Sequence, residues 1–240
     1  GPVCQSLSAT LVVVGNIGAG CEWVEALSKA HFPKRSWHCG SDGGPLYLLL
    51  MLLWRASIPK DWLPKVLANL DGLLQDHCHL ERKAATSALN LIKYPELAGH
   101  ARELNSIAQE ELRHFNMLLE LLEQRGVPLG LPNASPWIGG LMRFIRKGRR
   151  EQVIDHLIAA SFIEGRSCEK FQILAEALKK TERDIAELYA GLVESEGGHY
   201  ADFWLMACEI DSDEAHSRLD AFLDLDALLI RQPNDLSLLH

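Results

Sequence analysis

One pattern occurs twice in this chain: a lone glutamate inside an apolar helical stripe, followed 30 or 32 residues later by a Glu-x-x-His motif. The residues of the two copies are Glu81, Glu111 and His114, then Glu164, Glu196 and His199. A glutamate and a histidine three positions apart lie on one helix face and can bind one metal ion. Four inward glutamates and two inward histidines from four helices are the ligand set of a carboxylate-bridged two-metal site. The repeat therefore predicts a four-helix bundle around two metal ions.

The apolar residues around these motifs recur with the helical period. We predict five helices, over about residues 61–94, 96–125, 151–179, 182–209 and 211–231. The Pro- and Gly-rich connection 126–150 is long for a helix–helix loop and suits a crossover between two hairpins. The predicted fold class is all-α: a four-helix bundle of two antiparallel helix pairs joined by a long crossover, with an additional terminal helix or helices.

Composition narrows the function classes. Apolar residues make up 48% of the 240 residues, and the net charge of −8 argues against a general nucleic-acid coat. Six cysteines form no Cys-x-x-Cys pair, which argues against zinc ribbons and fits a reducing compartment. The longest apolar run, Leu46–Trp54, has nine residues, whereas a membrane helix needs roughly 20. We therefore predict a cytoplasmic protein without a membrane partner.

Residues 1–44 differ from the rest because they are rich in Gly, Ser and Cys and show no sustained helical period. We predict an atypical leader there, a helical metal-binding domain over 45–232 and a tail over 233–240. Within the leader, Val12–Gly20 resembles a strand that enters a phosphate-binding loop. A P-loop requires Lys and then Ser or Thr at the next two positions, but these are Cys21 and Glu22, whose carboxylate would repel phosphate. Nucleotide binding is therefore not predicted.

The position of the four glutamates inside apolar stripes is what indicates metal. Their neighbours Glu110, Glu169 and Glu194 fall off the stripes and are interpreted as solvated charges. Four carboxylates in one core would repel one another and lose hydration, whereas two divalent cations would cancel their charge. Chance spacing of exposed charges is the alternative, and it explains one Glu-x-x-His better than two matched copies. Oxygen and imidazole ligands suit iron or manganese. His77, one turn before Glu81, fits either a partner of that ligand or a hydrogen-bonded core histidine.

At these residues the chain resembles the tRNA 2-methylthio-N6-isopentenyladenosine hydroxylases of the MiaE type, a branch of the ferritin-like di-iron proteins. The resemblance covers roughly residues 50–232. It is carried by the segments Ile58–Trp62, Asp76–Ala85, Glu110–Phe115, Ile163–Glu169 and Ser195–Tyr200. One departure is Gly197-Gly198, where a bulkier pair is expected between the last two ligands. Two glycines cost about 2 kcal/mol of helix propensity, so we expect a loosened site or a locally unwound helix.

The resemblance implies a ferritin-like fold and a non-haem di-iron monooxygenase. Its substrate would be tRNA that carries 2-methylthio-N6-isopentenyladenosine next to the anticodon, and one oxygen atom would enter the isopentenyl group. It implies two iron ions held by the six residues above, with no further catalytic residue, and O2 as co-substrate. One bridging glutamate is expected from each half. Electrons would come from an external reductase or ferredoxin-like protein.

Two other functions remain open: a ferritin-like ferroxidase or iron-handling protein, and a di-iron oxygenase with another substrate. Storage of iron normally requires a shell-forming oligomer, and we expect a monomer or small oligomer instead. The resemblance raises the expectation that a basic cluster on the crossover contacts tRNA, since cations there could bind phosphates of the anticodon stem. The cluster consists of Arg143, Arg146, Lys147, Arg149 and Arg150. A solvated basic helix end is the alternative.

Overall fold

The computed structural model describes residues 54–234 and 238–240. All of them fall in the second of the two units into which the chain divides, Gly44–His240. The leader, including the segment that resembles a P-loop, lies outside the described residues, and the proposed domain boundaries stay predictions. The described residues form seven α-helices and a 3-10 helix (Pro95–His100), without a strand. The α-helices are α1 (Trp62–Ala68), α2 (Leu70–Leu91), α3 (Ala101–Gln124), α4 (Pro136–Phe144), α5 (Arg149–Leu178), α6 (Arg183–Ile210) and α7 (Ser212–Leu229).

The four long helices, α2, α3, α5 and α6, share two buried apolar clusters, one on each side of the six predicted ligands. The first apolar layer includes Ala85, Leu104, Leu157 and Phe203. The second apolar layer includes Leu74, Leu118, Phe171 and Leu192. Along α2 and α6 the chain passes from the second layer to the first, and along α3 and α5 it passes the other way. The pairs α2–α3 and α5–α6 are therefore antiparallel, and the predicted all-α bundle of two hairpins is confirmed.

The crossover between the hairpins contains a helix that the sequence analysis did not predict. Because α3 and α5 run in the same direction, the chain must return along the bundle between them. Ser135 starts α4 by accepting a hydrogen bond from the Ile138 backbone N at 3.0 Å, and Pro136 occupies the first turn. A Cβ on Gly140 would lie 2.5 Å from Leu229, so this glycine permits the close approach of α4 to α7. With only nine residues, α4 is too short for its period to stand out.

The segment predicted as one helix over about 61–94 is divided between α1 and α2. Asn69 breaks it with φ −141° and ψ 65°, and its side chain accepts a hydrogen bond from Gly72 N at 3.2 Å. Asparagine favours this N-cap geometry over a helix interior. The next helix also begins later than predicted, because Pro95–His100 is a 3-10 helix and α3 starts at Ala101. The ligand-bearing part of each helix is unaffected by these differences.

The last described residues, Leu238–His240, are buried against the bundle. The Leu239 backbone N donates to Asp76 Oδ2 at 2.9 Å, and Trp62 Nε1 donates to the Leu238 carbonyl at 3.0 Å. Ser167 Oγ lies 2.9 Å from His240 Nε2. These contacts fasten α1, α2 and α5 to one another. Within the described ranges, no helix combines the length and apolar character needed to cross a bilayer.

Candidate metal centre

The six residues of the repeated pattern meet at the middle of the bundle, between the two apolar layers. Each is at most 6% exposed. Their ligand atoms form two groups, and within each group all atoms lie within 4.8 Å of one another. The first position consists of Glu81, Glu111, His114 and Glu196. The second position consists of Glu111, Glu164, Glu196 and His199.

Glu111 and Glu196 belong to both positions. Each is the glutamate of a Glu-x-x-His motif, and the two come from different hairpins. Glu81 belongs only to the first position and Glu164 only to the second. The sequence predicted one shared glutamate from each half but did not identify it, and the structure brings these two into that place.

Both histidines present Nδ1 to the carboxylates. The distance from His114 Nδ1 to Glu196 Oε1 is 3.3 Å, and its distances to oxygens of Glu81 and Glu111 are both 3.6 Å. His199 Nδ1 lies 2.7 Å from Glu111 Oε1. Both Nδ1 atoms are buried, and among the described residues none of these close contacts has the geometry of a hydrogen bond. Such inward nitrogen atoms are suitable metal ligands if they carry a lone pair.

The outer nitrogens of both histidines have partners that accept a proton from Nε2. Ser195 Oγ donates its single proton to the Leu192 carbonyl at 3.0 Å, so it can only accept from His114 Nε2, which lies 3.4 Å away. The Glu110 carboxylate likewise accepts from His199 Nε2 at 3.2 Å. Although burial opposes the charged form, the facing carboxylates raise the pKa of His199 to about 10 and that of His114 to about 12. A bound metal ion would displace the Nδ1 proton, while the proton on Nε2 would stay with its outer partner and leave the Nδ1 lone pair facing the site.

Glu110 is therefore not the solvated charge that the sequence analysis described. It lies just off the apolar stripe and reaches across to the histidine of the other hairpin. Metal-binding histidines usually donate their outer N–H to a carboxylate or carbonyl. This rule could have indicated in the sequence that His199 needs a partner such as Glu110. Glu169 is also not a free solvated charge, as the sequence analysis interpreted it, because it forms an ion pair with Arg166 at 2.6 Å.

The electrostatics of the carboxylates fit a cation-binding site. Burial, reinforced by the charge of Glu111, raises the pKa of Glu81 well above its ordinary value. Burial and the charge of Glu196 do the same to the pKa of Glu164. Both Glu111 oxygens and Glu196 Oε1 are buried without a hydrogen-bond partner among the described residues. A divalent cation in each position would contact these atoms and offset the four negative charges, so the donor set fits two metal ions.

His77 contacts Glu81 directly, which resolves the two readings of this residue. Its Nε2 is bonded to Glu81 Oε1, and its ring stacks on Tyr189 with the centroids 5.5 Å apart. Burial lowers the pKa of His77 to about 3, so the ring is neutral. When a bound cation keeps Glu81 ionised, a neutral histidine that contacts this carboxylate through Nε2 donates a proton to it. His77 therefore helps to orient Glu81.

The paired glycines between the last two ligands do not unwind the helix, contrary to one of the expectations above. α6 is continuous from Arg183 to Ile210, and Gly197 and Gly198 lie within it. A Cβ at Gly198 would meet nothing within 4 Å among the described residues. The remaining hydrogen bonds of the helix and the packing on both sides of the site hold its geometry.

The basic cluster of the crossover lies at the end of α4 and the start of α5. Arg146 is held by Asp155 and Glu214, and its guanidinium is committed to these internal pairs. Arg149 and Arg150 form surface pairs, each with one acidic residue, and stay exposed. Arg143 and Lys147 are exposed as well. Whether these residues contact tRNA remains a prediction.

Comparisons with known proteins agree with this site. The family described as tRNA-(MS[2]IO[6]A)-hydroxylase (MiaE) matches residues 47–240. A Pseudomonas putida protein named tRNA 2-(methylsulfanyl)-N(6)-isopentenyladenosine(37) hydroxylase is 37% identical over 150 residues, which cover 62% of this chain and 72% of that protein. A Salmonella typhimurium protein of the same name is 33% identical over 128 residues, 53% of this chain and 46% of that protein.

A solved structure shares the fold. It is described as protein 43 with aldehyde deformylating oxygenase activity from Synechococcus, with a TM-score of 0.71 and 28% sequence identity. The match covers 78% of this chain and 94% of that one. The bundle described above is thus ferritin-like, as the resemblance implied. The extent of the family match, together with a buried Glu/His cluster compatible with metal, shows that this chain belongs to the MiaE family of tRNA hydroxylases.

Proposed function

We propose that this protein is a di-iron monooxygenase that hydroxylates the isopentenyl group of 2-methylthio-N6-isopentenyladenosine next to the anticodon of tRNA. The observation that carries the proposal is the pair of four-residue positions sharing Glu111 and Glu196. The family match and the names of the two relatives support the substrate.

In this proposal Glu81 and His114 would hold one iron ion, and Glu164 and His199 would hold the other. Glu111 and Glu196 would serve both positions. Iron fits the mixture of carboxylate and imidazole donors, and four protein residues at each position leave room for further ligands. When bound, the two iron ions supply the O2 activation that hydroxylation of an alkyl carbon requires.

The chain's own residues hold and shield this centre. The apolar layers on either side exclude water from the six side chains, which strengthens the electrostatic interactions between them. Ser195 and Glu110 fix the two histidines with Nδ1 inward, and His77 orients Glu81. The sequence contains no flavin or nicotinamide motif, so electrons would come from an external reductase or ferredoxin-like protein. We further propose a cytoplasmic monomer or small oligomer.

Binding of tRNA would involve the exposed part of the basic cluster. Phosphates could bind the exposed cations Arg143, Lys147, Arg149 and Arg150. Arg149 and Arg150 would each lose a weak surface ion pair on binding. Arg146 would contribute to the fold instead, because Asp155 and Glu214 already hold it.

A di-iron oxygenase with another substrate is the second candidate. The observation that favours it is the solved structure with the same fold, whose description gives aldehyde deformylating oxygenase activity. The same fold can therefore serve a different substrate.

Nucleoside mass spectrometry separates the two candidates. Iron-loaded protein is incubated with tRNA bearing the methylthio-isopentenyl adenosine, a reducing system and isotopically labelled O2. We expect one labelled oxygen atom on that nucleoside, no product with Glu164→Ala, and normal product with Glu120→Gln, an exposed position of α3. Iron binding and O2 consumption without labelled nucleoside would reject the tRNA substrate.

A further inference from the structure

The two histidines of the metal centre differ in what holds their outer nitrogens. His199 Nε2 lies 3.2 Å from a carboxylate oxygen of Glu110, whereas His114 Nε2 lies 3.4 Å from the hydroxyl of Ser195. The two partners occupy equivalent places in the sequence, because each directly precedes a shared glutamate. The two copies of the repeat therefore have the same ligand types but different hydrogen-bond partners for their histidines.

The ligands themselves give the two positions no reason to differ. Each position has one histidine, one glutamate of its own and both shared glutamates. The formal charge of the two donor sets is the same, and all six residues are similarly buried. Any difference in metal affinity must come from the groups that contact the ligands.

Two such contacts act in the same direction. A carboxylate that accepts the outer N–H of an imidazole increases the electron density on its other nitrogen more than a neutral hydroxyl does. Glu110 therefore makes His199 the stronger donor of the two histidines. At the first position, His77 donates a hydrogen bond to Glu81 and withdraws charge from that ligand. Both effects favour a cation at the second position.

We propose that Glu110 is a positioning residue that makes the second position the tighter one, so that the two metal ions bind in a fixed order. Ser195 contacts the histidine of the first position in the corresponding way. Because its hydroxyl is neutral, the first position binds its metal ion more weakly. This inference rests on the six-residue metal centre of the proposed function, but it is independent of the tRNA substrate.

Anaerobic titration of metal-free protein with ⁵⁷Fe(II) tests the order. Binding is followed by calorimetry, and samples at one and two equivalents are examined by Mössbauer spectroscopy. We expect two binding steps in the wild-type protein, with one quadrupole doublet at one equivalent and a second doublet at two equivalents. A single step with both doublets growing together would overturn the proposal.

Glu110→Gln isolates the charge, because glutamine keeps an acceptor oxygen of similar reach. We expect the first step to weaken roughly tenfold, with the doublet of the first iron changed and the second step nearly unaffected. Glu120→Gln removes the same charge from an exposed position of α3 and should leave both steps within twofold of wild type. If Glu110→Gln also behaves like wild type, or weakens only the second step, the proposal is wrong.

Ser195→Ala gives the reciprocal result, since it removes the partner of His114. It should weaken the second step and leave the first within twofold. Thermal unfolding of the metal-free variants separates these effects from stability, because a purely structural role would lower the melting temperature without selecting one step. Ordered binding in a protein that fails to hydroxylate tRNA would reject the proposed substrate and leave this inference standing. Hydroxylation by a protein that binds its metal ions without order would support the proposed substrate and reject this inference.

Discussion

Arg166 and Asp226 form an ion pair in which both side chains are completely buried. The Arg166 Nε donates to Asp226 Oδ1 at 3.2 Å, and Trp137 Nε1 donates to the same oxygen at 3.0 Å. The guanidinium also lies 4.0 Å from the ring centroid of Trp54. Because Arg166 is two residues after Glu164, this pair holds α7 against the part of α5 that carries this predicted ligand.

Removal of one partner of this pair should destabilise the fold strongly. Asp226→Leu removes the buried carboxylate partner of Arg166 and leaves only the partly exposed Glu169, so we expect a loss of about 3–5 kcal/mol in the free energy of unfolding. The double variant Arg166→Met with Asp226→Leu should recover most of that loss. Urea denaturation of the metal-free protein measures both.

Asp220→Asn is the matched control on the same helix. Asp220 pairs with Arg55 at the surface, where its side chain is 73% exposed, so its removal should cost less than about 1 kcal/mol. If Asp226→Leu were no more harmful than this control, the buried pair would not hold α7 in place.

Removal of the metal and the substitution Glu164→Gln should both change the stability of the protein through the carboxylates of the metal centre. Bound metal stabilises the folded state by about 2.7 kcal/mol when its concentration is 100 times the dissociation constant, since the unfolded chain lacks the site. Glu164→Gln removes one ligand charge with little change in volume. We expect it to lose one metal ion, keep its helix content and have a metal-free melting temperature at least equal to that of wild type.

Circular dichroism, metal analysis and thermal unfolding with and without iron measure these quantities. The metal-free comparison is decisive for the electrostatic argument, because burial and neighbouring charge raise the pKa of Glu164. A clear drop in the stability of metal-free Glu164→Gln would mean that this carboxylate stabilises the empty fold.

The grouping of the six predicted ligands was predictable because it follows from two periodicities. The helical period placed Glu81 and Glu164 inside apolar stripes, and the Glu-x-x-His spacing placed the other four residues on inward faces. The structure brings all six together. The antiparallel pairs were predictable from the position of the long crossover. Two consecutive helices need such a long connection when they run in the same direction, as α3 and α5 do.

What the sequence did not reveal depends on single side chains or on contacts between distant segments. Asn69 interrupts an apolar stripe that continues on both sides, so periodicity hides the break. Glu110 lies just off a stripe, and its role depends on His199, 89 residues away. Leu239 is buried by a hydrogen bond to Asp76, across 163 residues, and no periodic pattern marks such a contact.

Gly198→Ala should stabilise the protein by about 1 kcal/mol. Glycine is unfavourable in a helix interior, and a Cβ at this position would meet no described atom within 4 Å. Gly165→Ala is the contrasting variant, because its Cβ would lie 2.7 Å from Tyr200 and 3.0 Å from Trp54, and we expect it to destabilise by about 1–3 kcal/mol. Urea denaturation of the two variants measures the difference, and equal effects would contradict the packing described here.

The basic cluster should divide into residues that bind tRNA and one that supports the fold. Lys147→Ala together with Arg149→Ala should weaken tRNA binding and reduce its dependence on salt, with little change in stability. Arg146→Ala should instead lower stability by roughly 2 kcal/mol or more, because it leaves the buried Asp155 with one fewer partner. Binding measured by filter retention at several salt concentrations distinguishes them. An unchanged salt dependence in the double variant would exclude this surface from tRNA binding.

Lys170 should make the stability of the protein depend on alkaline pH. It lies on α5 with its amine bonded to the Leu239 carbonyl and 3.3 Å from His240 Nδ1. Burial, assisted by the charge of Arg166, lowers its pKa from 10.5 to about 7. Between these two values the unfolded chain holds a proton that the folded protein lacks, so the free energy of unfolding rises with pH by up to about 1.4 kcal/mol per unit. Below pH 7 both states are protonated, and the cost of burying the charge is fully present.

Lys170→Met should abolish this rise, because methionine fills similar space without a titrating group. The measurement is urea denaturation of metal-free wild type and variant from about pH 7 to about pH 10, where other groups titrate alike in both proteins and cancel in the difference. Lys179→Met, at the exposed end of the same helix, should follow the wild-type profile. Parallel profiles for wild type and Lys170→Met would show that the Lys170 amine keeps its proton in the folded protein, stabilised by the carboxylates of Glu169, Asp226 and Asp76.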